Sequence, residues 1–190
     1  MDTKKHRHHG KSSQKFLDDA DVLSRIGLFE GATFLDAGCG DGFFSIAASS
    51  RIGNNGKVYA IDIYEESINN LQNEILAKSI RNMEAIVADI THKIPLPNES
   101  VDICFMANVL HGFVENQELD SALSEITRVI KPGGIFAVVE FKKIERTFGP
   151  PMEIRLDESD INDILIDYGF SSQSSCDIGD YHFLVKYIKK

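Results

Sequence analysis

Short apolar runs alternate with amphipathic stretches along most of the chain. A short apolar run from Thr33 that ends at the acid Asp36, and residues 57–62 (KVYAID), 83–88 (MEAIVA) and 101–106 (VDICFM), are rich in β-branched and aromatic residues, which predicts four strands. Residues 128–141 (RVIKPGGIFAVVEF) read as a helix end, a Pro-Gly-Gly turn and a fifth strand. Between the strands the period changes. Leu119, Ala122, Leu123, Ile126, Val129 and Ile130 recur at helical spacing, and a helix over 65–79 follows the second strand. A helix over 13–29 carries Phe16, Leu17, Ala20, Leu23, Ile26 and Leu28, with Gly27 and Gly31 at its exit. A last helix over 155–169 is capped by Asp157 or Ser159, is apolar at Ile161, Ile164, Leu165 and Tyr168, and ends at Gly169. Residues 170–177 and 181–188 form a hairpin about a Gly-Asp turn. Strands alternating with helices predict an α/β fold around a mostly parallel sheet.

The first strand runs into Asp36, then Gly38, Gly40 and Gly42 on alternate positions, then a helical stretch. Such a turn needs residues that tolerate positive φ and lets a ligand approach bare backbone. Ligands of open α/β sheets bind at the carboxyl ends of the strands, where Asp36 stands. The spacing is not the dinucleotide fingerprint G-x-G-x-x-G, whose third glycine would fall on Phe43. A plain tight βα turn would also use these glycines. Asp62 ends the second strand twenty residues beyond Gly42, the place of a ribose-binding acid or of a cap for the next helix.

With Asp36, Gly38, Gly40 and Gly42 around Cys39 and Asp41, this loop resembles motif I of the class I S-adenosylmethionine (SAM) dependent methyltransferases. Asn108-Val109-Leu110-His111 after the fourth strand and RVIKPGG before the fifth are similar to further segments of that family. The matching stretch runs over about residues 33–141. Its flavour is that of the broad group containing the quinone-biosynthesis C-methyltransferases. The resemblance implies a Rossmann-like seven-stranded sheet of order 3-2-1-4-5-7-6, with strand seven antiparallel and helices on both faces. It implies SAM as cofactor, held by Asp36, Gly38, Cys39, Gly40, Asp41, Asp62, Ile63, Asp89, Ile90 and Asn108. Asp62 would accept the ribose hydroxyls. Asp89 would take the adenine amine, or stands as a loop carboxylate facing water. Asn108 would line the pocket through its backbone.

Composition adds bounds. The chain has 190 residues, 43% hydrophobic and 26% charged, ordinary for one globular domain with a real core. Residues 1–12 read as a basic tail and 13–190 as a single domain. No run is long and apolar enough to span a bilayer and the charged start has no signal-peptide core, so membrane insertion is not expected and a cytoplasmic location is. Cys39, Cys104 and Cys176 form no CxxC pair and no metal framework, and Cys104 falls on a core strand. The net charge is −9 although the first fifteen residues carry five Lys/Arg and one Asp. So acidic a body counts against nucleic acid as partner, because that affinity rests on neutralising phosphates. His6, His8 and His9 form a tail, a lid over the cofactor or a metal-binding cluster.

A sulfonium methyl is already electrophilic, so the family asks of the protein mainly placement and water exclusion. His111 is the candidate general base, or a helix-start histidine without chemistry. Glu140 ends strand five and faces the acceptor side; Tyr181 and His182 read as structural. No N/D-P-P-Y/F follows strand four, which disfavours methylation of planar amino groups, and the cysteines do not resemble those of arsenite methyltransferases. The segments left to shape an acceptor site are the N-terminal segment, the loop after strand four and residues 142–155. Phe113, Phe148 and Met152 there make it partly apolar. The expected acceptor is a small molecule, and the expected assembly a monomer or homodimer. A protein methyltransferase and a non-catalytic SAM-binding regulator or partner subunit are the alternatives.

Overall fold

The computed structural model describes residues 16–190. The tail and histidine cluster expected at 1–12, and residues 13–15 of the first expected helix, lie outside them. Seven strands form one sheet in the order β3-β2-β1-β4-β5-β7-β6. They are β1 (Thr33–Ala37), β2 (Lys57–Asp62), β3 (Met83–Val87), β4 (Val101–Ala107), β5 (Ile130–Phe141), β6 (Phe170–Ile178) and β7 (His182–Lys189). β1 pairs parallel with β2 and β4, and β4 parallel with β5. β7 runs antiparallel to both β5 and β6. The helices are α1 (Asp19–Ile26), α2 (Phe43–Ile52), α3 (Glu65–Ala77), α4 (Leu110–Asn116), α5 (Leu119–Val129) and α6 (Glu158–Ile166).

Near-continuous apolar strands are what a sheet covered on both faces requires. Neighbouring strand positions split between two cores. Leu35, Cys104, Met106 and Val138 meet Leu123 and Ile126 of α5 and Ile161 and Leu165 of α6. Phe34, Ile103, Phe105 and Val139 meet Val22 and Leu23 of α1, Phe44 and Ala48 of α2 and Leu71 of α3. Cys104 is fully buried, as its place on β4 implies.

Two expected helices begin later than the periodicity suggests. The first starts at Asp19 because Asp18 accepts the Asp21 amide and caps it there; Phe16 and Ala20 are exposed, while Leu17 is buried. It ends at left-handed Gly27. The last starts at Glu158 behind a capping box between Asp157 and Asp160. Arg155 is extended and belongs to the preceding loop, after a 3-10 turn at Met152–Ile154. Ile130, read with the helix before it, opens β5 instead. Arg128 donates to the carbonyls of Ile94 and Leu96, to Asn98 and to Glu125, which ties the proline-containing loop 93–99 to α5.

Gly42 caps α2 with φ +80°, and a Cβ there would stand 2.4 Å from Leu71 Cδ1 in the buried face of α3. Gly42→Ala combines a left-handed alanine with overpacking, about 3 kcal/mol together. The expected thermal midpoint falls by roughly 6–12 °C in a domain this size. A midpoint within 2 °C of the parent, measured by circular dichroism, removes this account of the turn.

Candidate functional site

The carboxyl ends of β1 to β5 share one edge of the sheet, and the glycine loop with Asp36, Asp62, Ile63, Asp89, Ile90, Asn108 and His111 stands there. The glycine loop leaves β1 at Ala37. Its amides are almost all consumed inside the protein. Those of Gly38 and Cys39 donate to the Ile61 carbonyl at 2.8 and 3.0 Å. Gly40 N donates to Asp62 Oδ2 at 2.8 Å, Gly42 N to the Cys39 carbonyl at 2.9 Å, and Phe43 N to Asp41 Oδ1 at 3.2 Å. A loop built to cradle a pyrophosphate turns its amides outward; this one turns them in. Gly40 has φ +55° and nothing within 4 Å of where a Cβ would be, so its outer surface is open to close approach by an uncharged ligand face.

Asp62 closes the loop from below. Its Oδ1 accepts the Tyr64 amide at 3.0 Å while Oδ2 holds Gly40, and it is 8% exposed. Each carboxylate oxygen retains a second acceptor site for a vicinal diol. α3 is capped at Tyr64, not at Asp62. Ile63, next in line, is exposed. Asp36 lies beneath the loop, 2% exposed, and accepts from Ser45 Oγ at 2.5 Å. Burial pushes its pKa up to about 7, and Ser45 only partly opposes this. Asp41 is exposed. Asp89 accepts from the amide and hydroxyl of Thr91 and pairs with His92 Nδ1 at 2.9 Å. Those hydrogen bonds outweigh desolvation and hold its pKa below the ordinary value. Ile90 is buried in the core, so a ligand would meet its backbone. Asn108 is left-handed at φ +59°, and its amide is bound to the Val139 carbonyl.

His111 sits in the first turn of α4, 3% exposed. Glu140, 1% exposed on β5, holds it twice. Oε1 accepts the His111 amide at 3.1 Å, and Oε2 faces Nδ1 at 2.8 Å. Glu140 therefore caps the helix and orients the ring together. Burial works against the imidazolium, but the Glu140 carboxylate outweighs it and holds the pKa of His111 above the ordinary value. With Glu140 accepting at Nδ1, Nε2 is the basic atom of the neutral ring.

Two residues have roles that the sequence did not show. Arg155, 5% exposed, donates to the carbonyls of Pro150, Lys142, Ile144 and Phe148 and so pins the loop that follows β5. No spacing announces this. His182, read as structural, is 1% exposed against the Phe141 ring at 4.1 Å, and neither ring nitrogen has a hydrogen-bond partner among the described residues. Burial, with Lys142 and Arg155 nearby, depresses its pKa to about 4. The unfolded chain binds that proton more readily, so stability is intact above pH 6.5 and lost as pH falls toward 4, by about 3 kcal/mol. Asp36 runs the other way: its stabilising proton is fully held below pH 3.8 and lost as pH rises through about 7. The two oppose each other between them. His182→Phe removes only the first, so its stability advantage is expected to widen by about 2–3 kcal/mol between pH 7 and 4.5. Parallel stability curves in denaturant titrations would exclude His182 as the source.

Among the described residues no group of three or more His, Cys, Asp or Glu is placed to hold a metal ion, and no helix is long and apolar enough to cross a membrane.

A Rossmann-like sheet with an inserted antiparallel seventh strand, and a glycine loop fastened to the acid that ends β2, define the class of fold that SAM-dependent methyltransferases share. The chain belongs to the family described as "Methyltransferase domain", whose model matches residues 28–168. It is similar to a SAM dependent methyltransferase from Aquifex aeolicus, with TM-score 0.86 and 36% identity over 95% of each chain. It is 29% identical over 120 residues to a demethylmenaquinone methyltransferase of Geobacillus stearothermophilus, covering 63% of this chain and 50% of that protein. To a ubiquinone/menaquinone biosynthesis C-methyltransferase of Bordetella parapertussis it is 30% identical over 129 residues, covering 68% and 48%. The chain thus spans about half the length of these two relatives. The donor set fits SAM, the family's cofactor: Asp62 for a diol, an open Gly40 surface, and no amide nest for phosphate.

Proposed function

We propose that this chain transfers the methyl group of SAM to a small-molecule acceptor. The observation that carries the reading is the glycine loop, whose amides are satisfied internally and whose Gly40 is fastened to Asp62. SAM, when bound, supplies an electrophilic methyl on its sulfonium. The protein's part is to hold and orient. Asp62 accepts the ribose hydroxyls, Gly38, Cys39 and Gly40 present backbone to the ligand, and Asp89 and Ile63 border the base. The loop after β4 and residues 142–155 exclude water from the acceptor. His111 takes a proton from the acceptor at Nε2, and Glu140 stabilises the resulting imidazolium and keeps its orientation. Small-molecule transfer is supported by the likeness to the quinone-biosynthesis enzymes.

Calorimetric titration with SAM, S-adenosylhomocysteine and NAD tests the reading. Micromolar affinity for the first two and none for NAD is expected. Absence of binding by both sulfur ligands would remove it.

A further inference from the structure

The loop between β5 and α6 borders a cavity of about 600 Å³, lined by residues 145–152 and Arg155. This segment is basic in an acidic chain: residues 142–155 hold Lys142, Lys143, Arg146 and Arg155 against Glu145 and Glu153. The two lysines are neutralised. Lys142 pairs with Asp177 at 2.8 Å, and Lys143 pairs with Asp157 and Asp160. The two arginines line the cavity, and neither has a carboxylate within ion-pair distance among the described residues. Arg146 lies over the Tyr181 ring at 4.3 Å. Four N–H groups of Arg155 are bound to carbonyls, which fix the guanidinium and leave its fifth N–H to spare, and Glu153 acts on its charge without a direct ion pair. Glu145 is the one acid on the wall, so the lining carries a net charge of one positive.

The remaining wall is mostly apolar, with Thr147 its one hydroxyl. Phe148, Pro150, Pro151 and Met152 border the cavity, and Phe148 is itself stacked on Phe16 at 4.8 Å. One wall of the cavity leads toward α4. The 3-10 turn at Met152–Ile154 packs on α4, which carries His111, and Arg155 follows that turn, 5.7 Å from the ring of Phe141. The charge of Arg155 is felt at both His111 and His182.

Resting on the methyltransferase reading above, we propose that this cavity is the acceptor pocket and that the acceptor is a monoanion, a carboxylate on a planar apolar body. Its carboxylate meets Arg146 and the remaining N–H of Arg155, and its body lies along Phe148 and Met152. A single excess positive charge matches a carboxylate better than a dianionic phosphate monoester.

The probes are 2-naphthoate, 2-naphthamide and 2-naphthyl phosphate, titrated by fluorescence into the full chain with saturating S-adenosylhomocysteine. Naphthoate is expected to bind at least about tenfold more tightly than either of the others. Arg146→Gln should bring naphthoate and naphthamide within about threefold of each other while leaving S-adenosylhomocysteine affinity unchanged. Arg146 is exposed, so this variant is expected to fold; Arg155 is left intact because it pins the loop. Equal affinity for acid and amide, no binding of naphthoate, a preference for the phosphate, or a preference that survives Arg146→Gln would each overturn the proposal. Loss of S-adenosylhomocysteine binding in the parent protein would instead overturn the methyltransferase reading, and the acid-to-amide ratio is then read without it.

Discussion

His111→Asn is expected to lower kcat by about 10²–10⁴-fold with a much smaller change in KM, the signature of a group that acts in the transition state. The parent profile of kcat/KM should rise with pH through an inflection above 6.5, because the neutral ring is the active form and Glu140 favours the charged one. Glu140→Gln keeps the shape but withdraws the charge. It should move that inflection downward and reduce kcat less than the histidine change does. Glu140 also caps α4, so each variant is compared at equal folded fraction, judged by circular dichroism. A structural role for His111 would lower the thermal midpoint without moving the inflection. A kcat within threefold of the parent in folded His111→Asn would assign the pair to stability alone.

Asp62→Ala is expected to weaken S-adenosylhomocysteine binding at least 100-fold. Two charge-assisted hydrogen bonds to a diol contribute about 1.5–3 kcal/mol each, and either alone accounts for tenfold or more. The same carboxylate fastens Gly40 and Tyr64, so the substitution also frees the loop that the ligand lies on. Asp62→Asn separates the two effects. An amide retains one acceptor oxygen and can keep only one of the two backbone partners. Its expected affinity falls between the parent and the alanine variant. Calorimetry reads both. Unchanged affinity in Asp62→Ala would withdraw the ribose assignment and leave Asp62 as a loop fastener.

The sheet was legible because β1, β2, β4 and β5 carry runs of buried apolar residues with little else to become, and the edge strand β3 keeps an apolar run although Glu84 and Val87 are exposed. Helix starts were less legible. Asp157 was read as a cap and is one, in a reciprocal box with Asp160, but Asp18 was not, and the apolar period runs on past both. Asp62 and the glycine turn could be placed at the carboxyl edge of the sheet from spacing, because local geometry follows local sequence. The His111–Glu140 pair could not. Twenty-nine residues separate them, and their meeting depends on α4 folding back over the end of β5. Arg155 was hidden for a related reason: its partners are backbone carbonyls, which leave no mark in a sequence. Asp36 was placed correctly at the end of β1, but that it would be taken by Ser45 below the loop follows only from the helix that the loop begins.

The insertion of β7 between β5 and β6 orders events during synthesis. β5 is a fully apolar strand at its centre, and until residues 182–189 have been made its outer edge has no neighbour. An unpaired edge of that kind invites association with other nascent chains. β6 emerges first, yet it is rich in serine and mostly exposed, a poor substitute for the missing neighbour. The sheet therefore stays open until β7 is made, and interruption of translation within that strand should yield aggregate rather than a smaller folded domain.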